Sequence, residues 1–273
     1  MVKVHDAPCF QVKNETLSQV LSRAMVSVET AQKQKVEAVA RLFSTIPYEN
    51  LTKIIKSDVL VNARSALRYP DELLGDWLRW GTGGTCFSLT SAMVAVYNCM
   101  GIEAHPLLAD RHYGVNTHCA LAVVLTDGAY LLDPGFLLYH PVLLPTTVPV
   151  SVNTGYNIIE LIPKENGSRI EMYTIVKGSR KMRLVYKSAF IDAVQFEKAW
   201  ESSFAWEMMN YPVLTRVSAS QHIYLQGDAL SVRNAEKTNR QKMTTEEQFK
   251  FISGTMGIDP EITRKALEII KNG

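Results

Sequence analysis

The stretch THCALAVVLTDGAYLLDPGF, residues 117–136, decides the fold. Two apolar runs flank Asp127-Gly128, a strong local signal for a hairpin with a two-residue turn. Successive side chains on a strand alternate between faces. With Asp127-Gly128 as the turn, Asp133 lies opposite Ala122, and Ala122 shares a face with His118. His118 and Asp133 therefore share that face. The simple register still leaves them four residues apart along the strands, about 13 Å at ~3.3 Å per residue. A hydrogen bond between them requires a bulge or a differently placed turn. Such an irregularity is expected here.

Further strands are expected downstream, in SRIEMYTIVK (168–177) and MRLVYKSAF (182–190), which can pair across Gly178, and in the turn-bounded segment 148–167. HIYLQGDALSVRNAEK (222–237) reads as strand, Gly-Asp turn, strand. PLLADR (106–111), between His105 and His112, reads as a loop. Upstream the period is helical. In residues 30–46, Val36, Val39, Ala40 and Phe43 recur at helical spacing, with Thr30 as the expected N-cap and Pro47 beyond the end. PYENLTKIIKS (47–57) resumes the apolar pattern, and YPDELLGDWLRWG (69–81) reads as a short helix ended by Gly81. Residues 192–209 return to helical spacing. Near the C-terminus, Thr244 and Glu247 sit at capping-box positions, and Asp259-Pro260 starts a last helix. Helix-rich, then strand-rich, then mixed is the order of an α+β protein.

Composition bounds the function. The chain has 273 residues, 47% hydrophobic and 21% charged, the profile of a globular protein with a substantial core. A formal charge of +2 is too near zero to steer it to nucleic acid or an anionic membrane. No apolar run approaches the roughly 20 residues that span a bilayer. The N-terminal stretch carries charges throughout and does not read as a secretory signal, so a cytoplasmic location is expected. The four cysteines, Cys9, Cys86, Cys99 and Cys119, form no C-x-x-C pair, and free thiols are expected. His105, His112 and His118 have no recognised metal-ligand spacing, and no metal is expected.

The chemistry centres on GTGGTCFSLT, residues 81–90. An apolar run follows Cys86, so the thiol sits at the mouth of an expected helix. Unpaired N–H groups in a first helical turn carry partial positive charge; they stabilise a thiolate and can receive an oxyanion. Gly83 and Gly84 would let the backbone approach a substrate closely. The competing reading is a glycine turn ahead of a buried helix, with Cys86 as a small hydrophobe. A cysteine nucleophile needs a base, and the base an orienting group. His118 and Asp133, at the two ends of one hairpin, supply them in the chain order of papain-like thiol enzymes. Cys119, on the opposite strand face, reads as a core residue.

These segments resemble the arylamine N-acetyltransferases. STIPYENLT (44–52) is similar to that family's Pro-Phe-Glu-Asn-Leu motif, and GGTCF (83–87) to its Arg-Gly-Gly-x-Cys motif. The stretch from GIEAHPLLADR to LLDPGF resembles the family's Thr-His strand pair and its Asp-Val-Gly-Phe motif. The resemblance is good over 36–140 and loose beyond. It implies a papain-like architecture: a helical bundle over 1–85, a β-barrel domain with the catalytic residues over 86–190, and an α/β lid over 191–273. It also implies a ping-pong reaction. Cys86 would take an acetyl group from acetyl-CoA as a thioester, and an arylamine, arylhydrazine or related amine would accept it. His118 would shuttle protons and Asp133 would hold its imidazole. Phe136 matches a family aromatic at the acyl pocket, and Phe87 and Thr117 are expected to bind substrate with it. The implied partners are thus a small amine and an acyl-CoA, with no nucleic acid, membrane or metal. The oligomeric state is not legible.

The departures cluster near the pocket. Thr82 stands where the family has an arginine that pairs with the glutamate matching Glu49. Arg79 is the expected substitute, or Glu49 has no arginine partner. Ser88 and Thr90 replace the usual Glu and Asn; Pro134 and Leu137 alter the aspartate motif. Two other readings therefore stay open. One is a transglutaminase-like or amide-synthase thiol enzyme with another acyl donor. The other is a catalytically silent member.

Overall fold

The computed structural model describes residues 7–27, 29–59, 62–218 and 221–272. The first hundred residues are helical where apolar positions recur every three or four residues. Helices α1 (Asn14–Ala24) and α2 (Gln32–Phe43) precede a two-residue strand β1 (Tyr48–Glu49), followed by α3 (Leu51–Val59), α4 (Pro70–Trp80) and α5 (Cys86–Cys99). Val36, Val39, Ala40 and Phe43 are all buried, as their spacing predicts. Thr30 is not the cap of α2. Ala31 holds that position without a side-chain bond, and the Thr30 hydroxyl instead accepts from the Ser27 N–H. Helix α5 is buried over every residue from Cys86 to Tyr97, as an all-round apolar helix must be. It is the axis of the helical core.

Next come β2 (Ala104–Arg111), β3 (Gly114–Leu125), β4 (Gly128–Asp133), β5 (Leu138–Leu143), β6 (Val150–Asn153), β7 (Ile158–Lys164), β8 (Arg169–Val176) and β9 (Ser179–Lys187). They form one antiparallel sheet in the order β5-β4-β3-β2-β9-β8-β7-β6, curled into a nearly closed barrel. PLLADR is therefore strand, not loop. Its proline is tolerated because β2 keeps its ladder to β3 around Pro106, which lies opposite Leu121. The 168–177 and 182–190 segments pair as expected, as β8 and β9.

The hairpin differs from expectation in one respect that matters. Leu125 faces Gly128, so the turn is Thr126-Asp127, one residue earlier than the Asp-Gly dipeptide suggests. Gly128 ends the turn with φ 143°, a conformation that explains why glycine follows aspartate. The shift brings Asp133 two residues closer to His118 and leaves both on the same face. Side chains of Cys119, Leu121 and Val123 pack towards the helices; those of Ala120 and Ala122 fill the barrel.

The chain ends with α6 (Ala193–Ser202), β10 (Val213–Ser218), β11 (Gln221–Gln226), β12 (Ala229–Arg233), β13 (Thr238–Lys242), α7 (Thr245–Lys250) and α8 (Pro260–Asn272). Thr244 and Glu247 make the expected capping box. The second sheet runs β1-β10-β11-β12-β13, so a piece of the N-terminal third completes the C-terminal one: Tyr48 faces Thr215 and Glu49 faces Leu214. That pairing draws the C-terminal sheet against Cys86, because Tyr48 also bridges Gly84. Among the described residues, no helix is long and apolar enough to cross a membrane.

Candidate active site

Helix α5 starts at Cys86 itself. Thr85 holds the N-cap position with extended backbone and offers no side-chain cap, so the N–H groups of the first turn stay available. The loop before it is glycine for a reason other than substrate approach. A Cβ on Gly83 would collide with the Pro47 carbonyl, and one on Gly84 with the Ser88 hydroxyl. The loop is clamped onto the PYEN segment: the Glu49 N–H donates to the Gly84 carbonyl at 3.0 Å and the Gly84 N–H to the Pro47 carbonyl at 3.3 Å. Gly83 thus allows two backbones to cross, Gly84 makes room for the Ser88 and Leu73 side chains, and together they fix the loop that precedes the thiol.

Cys86, His118 and Asp133 come together and are almost wholly buried. His118 Nε2 is 2.8 Å from Asp133 Oδ2, and His118 also hydrogen-bonds the Cys86 thiol. The Tyr186 hydroxyl donates to the same Asp133 oxygen at 2.6 Å, and the Phe136 N–H donates to Oδ1 at 2.9 Å. Sequence reasoning missed Tyr186. Strand alternation could have turned it into the barrel, but nothing local connects β9 to the LLDPGF loop. It missed Gly135 as well. A Cβ there would lie 2.5 Å from His118 Cε1 and 2.9 Å from Cys86 Cβ, so only glycine leaves room for the pair.

The electrostatics favour a thiolate–imidazolium pair. The Cys86 thiol is held well below its ordinary value. Hydrogen bonding by the Cys119 thiol is the largest influence; burial opposes it, and the bond and charge of His118 lower it further. Burial alone would depress His118, but the Asp133 carboxylate and the Cys86 sulfur outweigh it and push the imidazole up to about 9. Cys119 is a core residue facing the helices, as expected, but its thiol also touches Cys86, and burial raises it well above the usual range. Lys53 lies buried nearby; burial pushes it down to about 7, while it donates to the Ser203 carbonyl at 2.8 Å and hydroxyl at 2.6 Å.

The remaining expected residues separate. Phe136 meets the His118 ring edge to face at 5.1 Å. Thr117 lines the cavity of about 460 Å³ that opens onto Cys86 and His118, together with Tyr48, Tyr113 and Trp206. Phe87 does not line it. Its ring is fully buried against Phe196, Trp200 and Trp206, because the residue after Cys86 on α5 points into the helical core. Arg79 is not the partner of Glu49 either. It stacks on Trp80, with its guanidinium 4.4 Å from the ring centre. Arg68 takes the role. Its Nη1 lies 3.6 Å from Glu49 Oε1 and donates to Thr52 Oγ1 at 2.6 Å and the Gly83 carbonyl at 2.5 Å; Nη2 donates to Asp76 at 2.7 Å. Thr82, at the family's arginine position, is buried with its hydroxyl unpartnered. The guanidinium reaches Glu49 from a segment earlier in the chain than Thr82. His105 pairs with Glu103 and stacks on Phe190, remote from His118 in role. Among the described residues no three His, Cys, Asp or Glu side chains are grouped to hold a metal ion.

No curated protein sequence matches the chain. Solved structures do. A Mycobacterium smegmatis arylamine N-acetyltransferase matches with TM-score 0.78 and 18% identity, over 93% of this chain and 98% of that one. The arylamine N-acetyltransferase of Mycobacterium abscessus matches with TM-score 0.77 and 16% identity, over 93% and 94%. The Mycobacterium marinum arylamine N-acetyltransferase in complex with CoA matches with TM-score 0.77 and 17% identity, over 94% and 98%. The family model described as N-acetyltransferase matches residues 35–264, most of the chain. With that match added to the shared fold, the chain belongs to the N-acetyltransferase family and has the arylamine N-acetyltransferase fold.

Proposed function

We propose that the protein transfers an acetyl group from acetyl-CoA to an arylamine, arylhydrazine or related amine, with Cys86 as nucleophile, His118 as acid–base and Asp133 as its orienting group. The observation that carries this reading is the buried run of contacts from Cys86 through His118 to Asp133, with the thiol lowered and the imidazole raised. The CoA bound to the M. marinum relative supports the donor. The cavity at Cys86, walled by Tyr48, Tyr113, Trp206 and the His118 ring that Phe136 packs against, suits a flat aromatic acceptor.

The Cys86 thiolate attacks the acetyl carbonyl of the thioester. First-turn N–H groups of α5 are available to the oxyanion. Collapse expels the CoA sulfur, which takes a proton from the His118 imidazolium, and leaves acetyl-Cys86. The amine then attacks the acetyl carbon while the imidazole removes its proton, and the Cys86 thiolate leaves. Asp133, held by Tyr186 and the Phe136 N–H, keeps the imidazole in one orientation throughout. All four cysteines are free, as is usual in a reducing compartment, which supports a cytoplasmic enzyme.

Mass spectrometry after incubation with acetyl-CoA tests the reading. An acetyl adduct on Cys86, absent in Cys86→Ala and discharged by an arylamine, is expected. Ammonia release from glutamine without such an adduct would favour the amide-synthase reading, and an unreactive Cys86 the silent one.

A further inference from the structure

A second cavity, of about 280 Å³, adjoins the one at Cys86 and shares Tyr48, Arg111, Met208, Val213 and Tyr224 with it. It lies between the barrel and the C-terminal sheet, and three arginines line it: Arg111 at the end of β2, Arg183 on β9 and Arg233 on β12. Among the described residues none of the three pairs with a carboxylate. Arg183 Nε donates to the Thr174 hydroxyl at 2.6 Å, while Arg111 Nε and Arg233 Nε are buried with no partner. Burial, then the charges of Arg233 and Arg111, hold the Arg183 guanidinium below its ordinary value. His222 joins them, pushed down to about 4 by burial and by Arg233 and Arg183, so it is a neutral imidazole near pH 7.

Three partly desolvated guanidiniums facing one cavity repel one another and lack the counter-charge that buried cations require. A protein with a net charge of only +2 has no general reason to gather them there. A planar oxyanion that accepts paired N–H bonds supplies what is missing. The distance from the chemistry narrows its identity. The Arg111 guanidinium lies 5.4 Å from the centre of the Phe136 ring, and that ring lies 5.1 Å from His118. Arg111 also lines the cavity at Cys86, so an anion on the arginines lies within the reach of a small group bound beside the reacting sulfur. The phosphates of a CoA are held much farther from its thioester by the pantetheine arm.

We propose, resting on the acetyl-transfer reading, that Arg111, Arg183 and Arg233 form a carboxylate subsite for the substrate group that reaches Cys86. The carboxylate belongs either to the amine acceptor, as in an aminobenzoate, or to the acyl chain of the donor, as in a dicarboxylic acid monothioester.

The first arm of the test needs no catalysis. Calorimetric titration of the Cys86→Ala protein with 4-aminobenzoate and with aniline is expected to give at least about tenfold tighter binding of the carboxylate, the lower end for a charged hydrogen bond. Arg183→Gln and Arg233→Gln, each added to that protein, should remove most of the difference, and Arg233→Lys should restore part of it. The second arm compares acylation of wild-type Cys86 by succinyl-CoA and acetyl-CoA, read by intact mass. Preference for succinyl-CoA that falls at least about tenfold in the two glutamine variants assigns the carboxylate to the donor. Equal treatment of charged and neutral compounds in both arms overturns the subsite. So does discrimination that survives both glutamine substitutions, or a loss confined to acetyl-CoA, which would give the arginines to the donor's phosphates. Failure of acetyl-CoA to label wild-type Cys86 would instead strike the acetyl-transfer reading, and the binding arm would still report on the arginines.

Discussion

Replacing Arg68 by methionine tests how the Cys86 loop is held. The side chain is 4% exposed and Glu49 is fully buried. The substitution removes the Glu49 ion pair at 3.6 Å and the bonds to Thr52, the Gly83 carbonyl and Asp76. The Asp76 bond counts for little, since that carboxylate is 36% exposed and water replaces the guanidinium. The Glu49 carboxylate is different. It keeps only its two bonds from Thr52, at 2.9 and 2.6 Å, and no counter-charge. Removing one partner of a buried pair costs about 3–5 kcal/mol. At about 2–4 °C per kcal/mol for a chain of this size, Tm falls by roughly 6–20 °C. The cost should shrink in the Glu49→Gln/Arg68→Met double variant, because the stranded charge is gone. Calorimetry of the three proteins, with Arg79→Ala as the comparison, gives the result. Arg79→Ala should cost under about 0.5 kcal/mol, as surface changes do. A loss below about 1 kcal/mol for Arg68→Met, or an equal loss for Arg79→Ala, would refute the argument that Arg68 and not Arg79 holds the buried Glu49.

Three further outcomes follow from the site. In the wild type, iodoacetamide alkylation of Cys86 should stay fast well below the ordinary thiol range, because the thiolate is paired with an imidazolium that keeps its proton up to about 9. In His118→Gln the alkylation rate should become steeply dependent on pH and low at neutrality; an unchanged profile would remove His118 as the partner. Tyr186→Phe deletes the 2.6 Å bond to Asp133 and should lower kcat by roughly tenfold, since a bond to a charged group is worth about 1.5–3 kcal/mol, with KM for acetyl-CoA little changed. Gly135→Ala puts a methyl against His118 and Cys86; acetylation of Cys86 should fall at least about tenfold while Tm drops by only a few degrees, as for a local overpacking cost of about 1–3 kcal/mol. Full labelling of that variant would mean that the pair tolerates displacement.

Local patterns were legible where local physics decides them. Helical spacing placed Val36, Val39, Ala40 and Phe43 in the core, and the Thr244 capping box formed as its spacing requires. Thr30 failed as a cap because Ser27 offered its hydroxyl a nearer partner. PLLADR failed as a loop because its partners, β3 and β9, come later in the chain and impose extension on it. Phe87 failed as a pocket residue because its direction follows from which face of α5 meets α6, not from its place beside Cys86.

The sequence by itself determined the nucleophile, base and orienting residue as candidates, the α+β order, and the shared strand face of His118 and Asp133. Those depend on residue type, period and parity, which are local. Only the tertiary structure decided the turn at Thr126-Asp127 that halves the His–Asp offset, the Tyr186 bond from β9, and the pairing of Glu49 with Arg68. Only it gathered Arg111, Arg183 and Arg233 from three separate strands onto one cavity. Contacts of that kind join residues far apart in the chain, and they exist only once the barrel and the second sheet have closed over the start of α5.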